Sequence, residues 1–415
     1  MIEPGREIEA ICSSLAGSDY TVKFSGWSAL DMYLRMPVLP HVWIETNAGI
    51  AVLARLVDNL RFPGVEIGDG AVDIADIDAN RSDDNRLDDN RLNGGNSFSR
   101  TVFFRCMDGD ERQQFSIPLL SLTFDWRTKR FQDPLGIYPQ LADLRKKKDR
   151  FFPPEPDSIR AIMDAALFIS RYSPSQETLR RFFMRFKMAW ENCRSEGEPK
   201  PEAQRVFLSC LLVSPNAELG LQLIKQSGLL KELWPELASL DEVDHSKEYH
   251  PEGNVWSHTL ETLRYRKAVS PGGFDLRLSL ALLLHDMGKP ISASFGNNRF
   301  DGHAELGARA AARFLKRLGF SASFTEDIFF LVKNHMLPAA LKRLPLVKTA
   351  EIMASPLFPT LLELYRCDES SSFKGLDGYY ENSAAYQAYL KNLKNPYRSP
   401  DGKKMGKRKM NQIFL

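Results

Sequence analysis

The sequence predicts an α+β protein, with a small α/β head toward the N-terminus and a long all-helical remainder. Three observations carry this. Segments rich in β-branched and aromatic residues, bounded by turn residues, are confined to positions before 135. From 141 onward, apolar residues recur three and four apart, which is the helical period. Six of the seven histidines fall between 245 and 335, on separate helical stretches, where side chains of several helices can converge in a bundle interior.

Composition bounds the rest. A chain of 415 residues exceeds one ordinary core, so two to four modules are expected. With 43% apolar and 26% charged residues, it reads as a soluble globular protein. A formal net charge of +2 leaves no global nucleic-acid footprint, so any such binding must use local patches. Cys12, Cys106, Cys193, Cys210 and Cys367 are scattered without paired spacing, as expected in a reducing compartment. Residues 1–20 show no apolar run of leader length, and no stretch approaches the roughly 20 apolar residues that cross a bilayer. A cytoplasmic protein without a membrane partner is expected.

In chain order, 48–60 is helix-like, and 65–77, 101–106 and 115–126 have strand composition. Residues 125–130 make a hairpin turn that Phe131-Gln132-Asp133-Pro134 closes. Within the head, Asp83-Asp84-Asn85-Arg86-Leu87 is repeated at once as Asp88-Asp89-Asn90-Arg91-Leu92. Such polar pentads bury too little to fold, so 79–98 is expected to be a mobile insert. The interspersed arginines argue against an acidic metal loop there. Lys146-Lys147-Lys148 reads as a solvated helix end. Asp157 is expected to cap a helix through Ile162 and Leu167. A second helix spans 178–190, with Phe182, Phe183, Phe186 and Met188 on its apolar face. Helices follow at 203–213 and 219–227, and Gly228 is a stop. Further helices are expected at 257–268, 275–287, 304–318, 324–336 and 349–367. The tail, 391–415, carries eight lysines and arginines against Asp401 alone, a composition suited to tracking phosphates or to solubilising a disordered end.

The histidine cluster carries the chemistry. His285-Asp286 lies directly behind Leu280-Ala281-Leu282-Leu283-Leu284, where an unpaired buried carboxylate costs several kcal/mol, roughly 3–5. Taken singly, each of these histidines is more simply a core imidazole hydrogen-bonded to backbone. As a set beside a buried acid, they point to a divalent cation, and the carboxylate can bridge two ions.

The order His258, His285-Asp286, His303, His335, Asp368, with the HDxGK form at His285 to Lys289, resembles the HD-domain phosphohydrolases. The resemblance implies that His258, His285, Asp286 and Asp368 hold one divalent ion. It implies that His303 and His335 bind a second ion or the scissile phosphate, and that Asp286 and Lys289 act in catalysis, Lys289 near that phosphate. The ion would be Mn, Ni, Co, Mg or Fe, in one or two copies.

A second likeness spans nearly the whole chain. Gly228-Leu229-Leu230-Lys231-Glu232-Leu233-Trp234-Pro235-Glu236-Leu237, His250-Pro251-Glu252-Gly253, Phe131-Gln132-Asp133-Pro134-Leu135-Gly136 and Asp157-Ser158-Ile159-Arg160 resemble segments of the bacterial tRNA nucleotidyltransferase and poly(A) polymerase family that carries an HD domain. This implies a polymerase-β-type nucleotidyltransferase-like head. It is there that the sequence departs from the family. In place of a Gly-Gly loop with an Arg-Asp pair stands Ser25-Gly26-Trp27-Ser28-Ala29-Leu30-Asp31. His41 and Trp43 occupy the positions of two carboxylates when Thr46-Asn47-Ala48 is aligned. Arg112-Gln113-Gln114-Phe115-Ser116-Ile117-Pro118 lacks the family's Asp and Asn. Asp73 keeps a third acid at most, and one acid cannot organise two magnesium ions. Asp76 and Asp78, or Asp83 and Asp84, are the alternative acids should the alignment be shifted.

The expected organisation is therefore a degenerate nucleotidyltransferase-like head (1–150), a helical connector (151–243), an all-α HD domain (244–385) and a basic tail (386–415). The favoured function is metal-dependent hydrolysis of phosphomonoesters or phosphodiesters, with nucleotides or RNA ends, tRNA among them, as partners. The alternatives are CCA addition or poly(A) polymerisation, and a non-catalytic RNA-binding role. Arg160 and Arg205 in the connector, with Lys403 and Lys404 in the tail, are the candidate RNA contacts.

Overall fold

The computed structural model of the chain describes residues 6–37, 39–49, 51–53, 55–56, 101–106, 116–146, 148, 153–244, 253–269, 273–295, 300–372, 375–395, 397, 399 and 402–403. The strand expected at 65–77, Asp73, Asp76, Asp78, the paired pentads, most of the insert-bearing region and Lys404 lie outside these residues. The chain forms two compact units. One comprises Met1–Ala238, Lys267–Leu276 and Leu315–Ser323, and the other Ser239–Arg266, Arg277–Phe314 and Phe324–Leu415.

The first unit contains a five-stranded sheet of β1 (Val22–Phe24), β2 (His41–Thr46), β3 (Thr101–Cys106), β4 (Thr123–Asp125) and β5 (Arg130–Gln132), in the order β3-β2-β1-β4-β5. The β2–β3 pair is parallel and the other neighbours are antiparallel. Phe24 sits opposite Ile44 on one side and Phe124 on the other, so the period-2 alternation directs all three to one buried layer. Ile8, Ile11 and Leu15 of the helix Arg6–Gly17 join that layer. Each such burial contributes about 1.5–3 kcal/mol.

Strand composition over 115–126 proves only partly right. Pro118 has no N–H to give a ladder and opens a 3₁₀ turn, Pro118–Ser121, so that only Thr123–Asp125 pairs. The hairpin after it forms as expected. The Asp125 carboxylate accepts from the Thr128 backbone N–H at 2.7 Å and from its hydroxyl at 2.9 Å. Asp133 then accepts from the N–H groups of Ile137 and Tyr138 and starts the helix Tyr138–Arg145.

The segment that stands in place of the family's Gly-Gly loop is a helix, Gly26–Leu34, entered through Gly26 at φ +54°. Its Asp31 is fully buried, with Arg171 Nε at 2.5 Å and the Tyr172 hydroxyl at 2.7 Å. In the connector, Ser158 rather than Asp157 caps the helix Ile159–Tyr172. Its Oγ accepts from the Ala161 N–H at 3.1 Å, while Asp157 accepts from the Ser158 hydroxyl. The expected 178–190 helix runs as Gln176–Arg185 and stops because Met188 turns left-handed at φ +57°. Met188 is consequently 48% exposed, whereas Phe182 and Phe186 fill the core. Gly228, at φ +87°, ends the helix Ala217–Gln226 and starts Leu229–Leu233.

The second unit is built of helices: Val255–Arg264, Leu276–Leu284 (from Arg277 on), Gly288–Ser294, His303–Arg317 (to Phe314), Ala322–Asn334 (from Phe324 on), Leu346–Met353, Phe358–Ser370 and Asp377–Leu393. A single helix over 349–367 was expected. Pro356 divides it, since it donates no hydrogen bond and disfavours helical backbone in Ser355 before it. The last helix runs past residue 386 and buries Tyr386 and Tyr389, so ordered structure reaches Leu393 in what the sequence suggested was tail. Among the described residues, no helix is long and apolar enough to cross a membrane.

One buried acid of the first unit sets a pH dependence. Burial raises the Asp164 carboxyl to about 6, against the opposing pull of the Ser116 hydroxyl, Arg160 and Trp27. A folded-state value above the unfolded one, about 3.9, means the native state holds the extra proton. Stability is then full below about pH 4 and falls as pH rises to about 6, by an amount on the order of 2–3 kcal/mol. Asp164→Asn should flatten this loss, matching the parent near pH 4 and melting higher at pH 7.5. Parallel melting curves across that range would sink the assignment.

Candidate metal centre

Five of the site residues lie at or near helix ends, where chain direction changes and a side chain can leave its own helix surface. His285 and Asp286 follow Leu276–Leu284, His303 opens His303–Arg317, His335 follows Ala322–Asn334, and Asp368 lies in the last turn of Phe358–Ser370. His258 sits inside Val255–Arg264, whose N-terminus is capped by Asn254 accepting from the Ser257 N–H.

The structure brings all six together as two triads. His258, His285 and Asp368 form one, and Asp286, His303 and His335 the other, with the ligand atoms of each triad within 4.8 Å of one another. In the first, His258 Nε2 is 3.0 Å from Asp368 Oδ1, and His285 Nε2 is 4.0 Å from the same oxygen. In the second, His303 Nε2 is 3.6 Å from Asp286 Oδ1 and 3.2 Å from His335 Nε2. Asp286 touches both sets, because its other oxygen, Oδ2, is 3.2 Å from His285 Nε2 and 3.9 Å from His258 Nε2. The sequence placed Asp286 with His258, His285 and Asp368. The geometry puts it between the two sets.

The donor set fits a divalent ion on physical grounds. The Nδ1 atoms of His285, His303 and His335 lie 2.7–2.8 Å from the carbonyl oxygens of Leu282, Phe300 and Val332. A carbonyl only accepts, so each Nδ1 carries the proton and, in the neutral ring, each Nε2 presents a lone pair. The 3.2 Å approach of the His303 and His335 Nε2 atoms therefore opposes two lone pairs unless a cation or proton lies between them. Burial lowers the His335 imidazole to about 4, and the neighbouring His285 adds to the effect against Asp286. His303 is likewise lowered, by burial first and then by Lys289, against the opposing charge of Asp286. His285 Nε2 is buried and makes no hydrogen bond. Burial pulls the Asp368 carboxyl upward, but His258 and then His285 outweigh it and hold the group well below the usual carboxylate range. Neutral imidazoles beside ionised carboxylates are the ligand-competent forms.

Lys289 places Nζ 2.6 Å from Asp286 Oδ2. The centre is not uniformly buried. Asp368 is 25% exposed and Lys289 and His303 12% each, against 1–2% for His258, His285 and Asp286. The HDxGK glycine has a steric role. A Cβ at Gly288 would collide with the His303 carbonyl and approach the Gly307 nitrogen to 2.6 Å. Close contact of the 288–294 and 303–317 helices thus sets Asp286 against His303. The Gly307-Ala308-Arg309-Ala310-Ala311 run could have signalled that contact. Ser371, beside His258 Nδ1 at 3.2 Å, has no sequence signal beyond its place three residues after Asp368.

Of the candidate RNA contacts, Arg160 and Arg205 belong to the first unit and Lys403 to the second. Arg160 lies 3.8 Å from Asp164 at 25% side-chain exposure, and Arg205 donates to the Gly319 carbonyl at 2.8 Å. Lys403 is exposed, and its carbonyl accepts from Ser399.

Comparison with known proteins follows the same division. Residues 255–358 match the HD domain family, a span that contains four of the histidines and Asp286 but stops short of Asp368. A CC-adding tRNA nucleotidyltransferase of Thermus thermophilus is 35% identical over 179 residues, 42% of this chain and 40% of that protein. A multifunctional CCA protein of Halorhodospira halophila is 36% identical over 209 residues, 50% of this chain and 49% of that protein. The chain thus spans less than half the length of either relative. A solved tRNA nucleotidyltransferase complexed with a primer tRNA and an incoming ATP analog aligns with 92% of this chain and 99% of its own, at 14% identity and a TM-score of 0.40.

Gly288→Ala should cost about 1–3 kcal/mol through overpacking and weaken Mn²⁺ binding by about tenfold or more as the helices part. Gly17→Ala, whose Cβ meets nothing within 4 Å, is the control. Calorimetric titration of both variants checks this, and unchanged Mn²⁺ affinity in Gly288→Ala would refute the steric role.

Proposed function

We propose that this HD-domain relative of tRNA nucleotidyltransferases is a metal-dependent phosphohydrolase. Its substrates would be phosphomonoesters or phosphodiesters of nucleotides or RNA ends. The observation that supports this most is the pair of triads around Asp286, with buried imidazole lone pairs directed at one another and at two carboxylates. When bound, one or two divalent ions (Mn, Ni, Co, Mg or Fe) would activate water and neutralise phosphoryl oxygens.

The chain's own groups divide the remaining work. His258, His285 and Asp368 would hold one ion, His303 and His335 a second, and Asp286 would bridge. Lys289 offers an ammonium that can pass from Asp286 to a phosphate oxygen of the substrate. Burial of the other ligands leaves Asp368 and His303 as the ligands that solvent reaches most.

A second reading, nucleotidyl transfer, is favoured by the relatives' identities and opposed by the head. Within the described residues, β2 carries His41 and Trp43 where the family likeness puts acids. Asp31 is committed to Arg171 and Tyr172. Under the phosphohydrolase reading, the head would act as a scaffold or RNA cradle.

Two assays separate the readings. Hydrolysis of a generic phosphodiester or a 2′,3′-cyclic nucleotide is expected with added Mn, Ni, Co or Mg. It should fall to the metal-free background in His285→Ala and in Asp286→Ala, and an active double variant would rule the reading out. Incubation with CTP, ATP and a trimmed tRNA should give no incorporation; incorporation would establish the second reading.

A further inference from the structure

Ser371 is tied to the metal centre by a hydrogen-bond argument that the other three histidines frame. Those rings hold Nδ1 on backbone carbonyls available at helix ends. His258 lies within its helix, and its Nδ1 faces the Ser371 hydroxyl at 3.2 Å.

That hydroxyl has one proton and two partners. Its other partner is the Asp368 backbone carbonyl at 2.6 Å. A carbonyl oxygen cannot donate, and two oxygens do not approach so closely without a hydrogen between them. The serine proton therefore goes to Asp368, and the His258 contact must be donated by Nδ1–H. Ser371 is buried and terminates the helix Phe358–Ser370, its own N–H bonding to the Cys367 and Asp368 carbonyls. The hydroxyl is thus fixed by the same helix turn that carries the Asp368 carboxylate.

We propose that Ser371 is a positioning residue of the metal centre. It keeps the proton of His258 on Nδ1, so that Nε2, 3.0 Å from Asp368 Oδ1, is the nitrogen left to give its lone pair to an ion shared with His285 and Asp368. Through one hydroxyl, the orientation of His258 and the backbone of Asp368 are set together, although the two residues lie on different helices. This rests on the metal-centre reading, and the test separates the two.

The test combines Mn²⁺ affinity with nitrogen NMR of the His258 ring in the full chain. In the parent protein at pH 8, His258 Nδ1 should carry a proton with and without Zn²⁺. Ser371→Ala should weaken Mn²⁺ binding by about tenfold or more, the usual effect of losing a partner behind a ligating histidine. Ser371→Thr, which restores a hydroxyl, should recover most of it. Parent-like Mn²⁺ affinity in Ser371→Ala, or an unprotonated Nδ1 in the parent, overturns the proposal. Should the parent bind no metal ion, the metal-centre reading fails while the Nδ1 measurement still decides the role of Ser371. The parent NMR result also stands if Ser371→Ala does not fold.

Discussion

Asp286 lies behind a run of Leu280-Ala281-Leu282-Leu283-Leu284, every member of which is fully buried, and its own carboxylate is almost as enclosed. Taking that charge out of water costs several kcal/mol, roughly 3–5 if it is left unpaired. The arrangement of the second unit around it answers that cost. Lys289 sits one helical turn on and supplies one positive charge. The adjacent His285 and the imidazoles of His258 and His303, from two other segments, face the remaining surface. Two carboxylates against a single ammonium, with burial lowering His303 and His335, leave the site short of positive charge, which is what a divalent ion would provide.

The first unit handles buried acids differently. Asp31 meets Arg171 and Tyr172, and Asp164 meets Ser116 and Arg160. Both are engaged by donors from the chain itself, and donors of that kind leave little for an ion to add. At Asp286 and Asp368, most of the neighbours are imidazoles, which can turn a ring nitrogen to an ion. Among the described residues, the difference between a scaffold carboxylate and a candidate ligand lies in whether its neighbours can serve as ligands too.

What the sequence made legible follows from how local each signal is. His285-Asp286-Met287-Gly288-Lys289 and the spaced histidines are short motifs whose chemistry is written in residue type, and the structure gathers every one of them. The helical remainder was legible because the 3–4 apolar period is local too. Helix ends were less so: Met188 at positive φ and Pro356 each moved a boundary that the apolar pattern ran straight through. The Gly26–Leu34 helix was not read from the sequence, where Ser25-Gly26 was compared only with the family's loop; here Gly26 serves to enter a helix. Most hidden were the partners set by tertiary placement. Arg171 on Asp31, Gly307 against Gly288 and Ser371 on His258 lie 140, 19 and 113 positions away, and nothing in local sequence names them.

The graded exposure of the ligands suggests how one surface could admit substrate without admitting bulk water to the whole centre. His258, His285 and Asp286 are sealed by the leucines behind them and by the helix that Ser371 terminates. Asp368, His303 and Lys289 are the partly open members, and they stand on three different segments. A phosphate entering there would meet an ammonium and the outward edge of both triads. The tight Gly288–His303 contact fixes the spacing of two of those three. A substrate's reach would then be governed less by the ligands than by the side chains around them. Phe295, which follows the Gly288–Ser294 helix, and Met336, directly after His335, are exposed apolar side chains next in the chain to these elements.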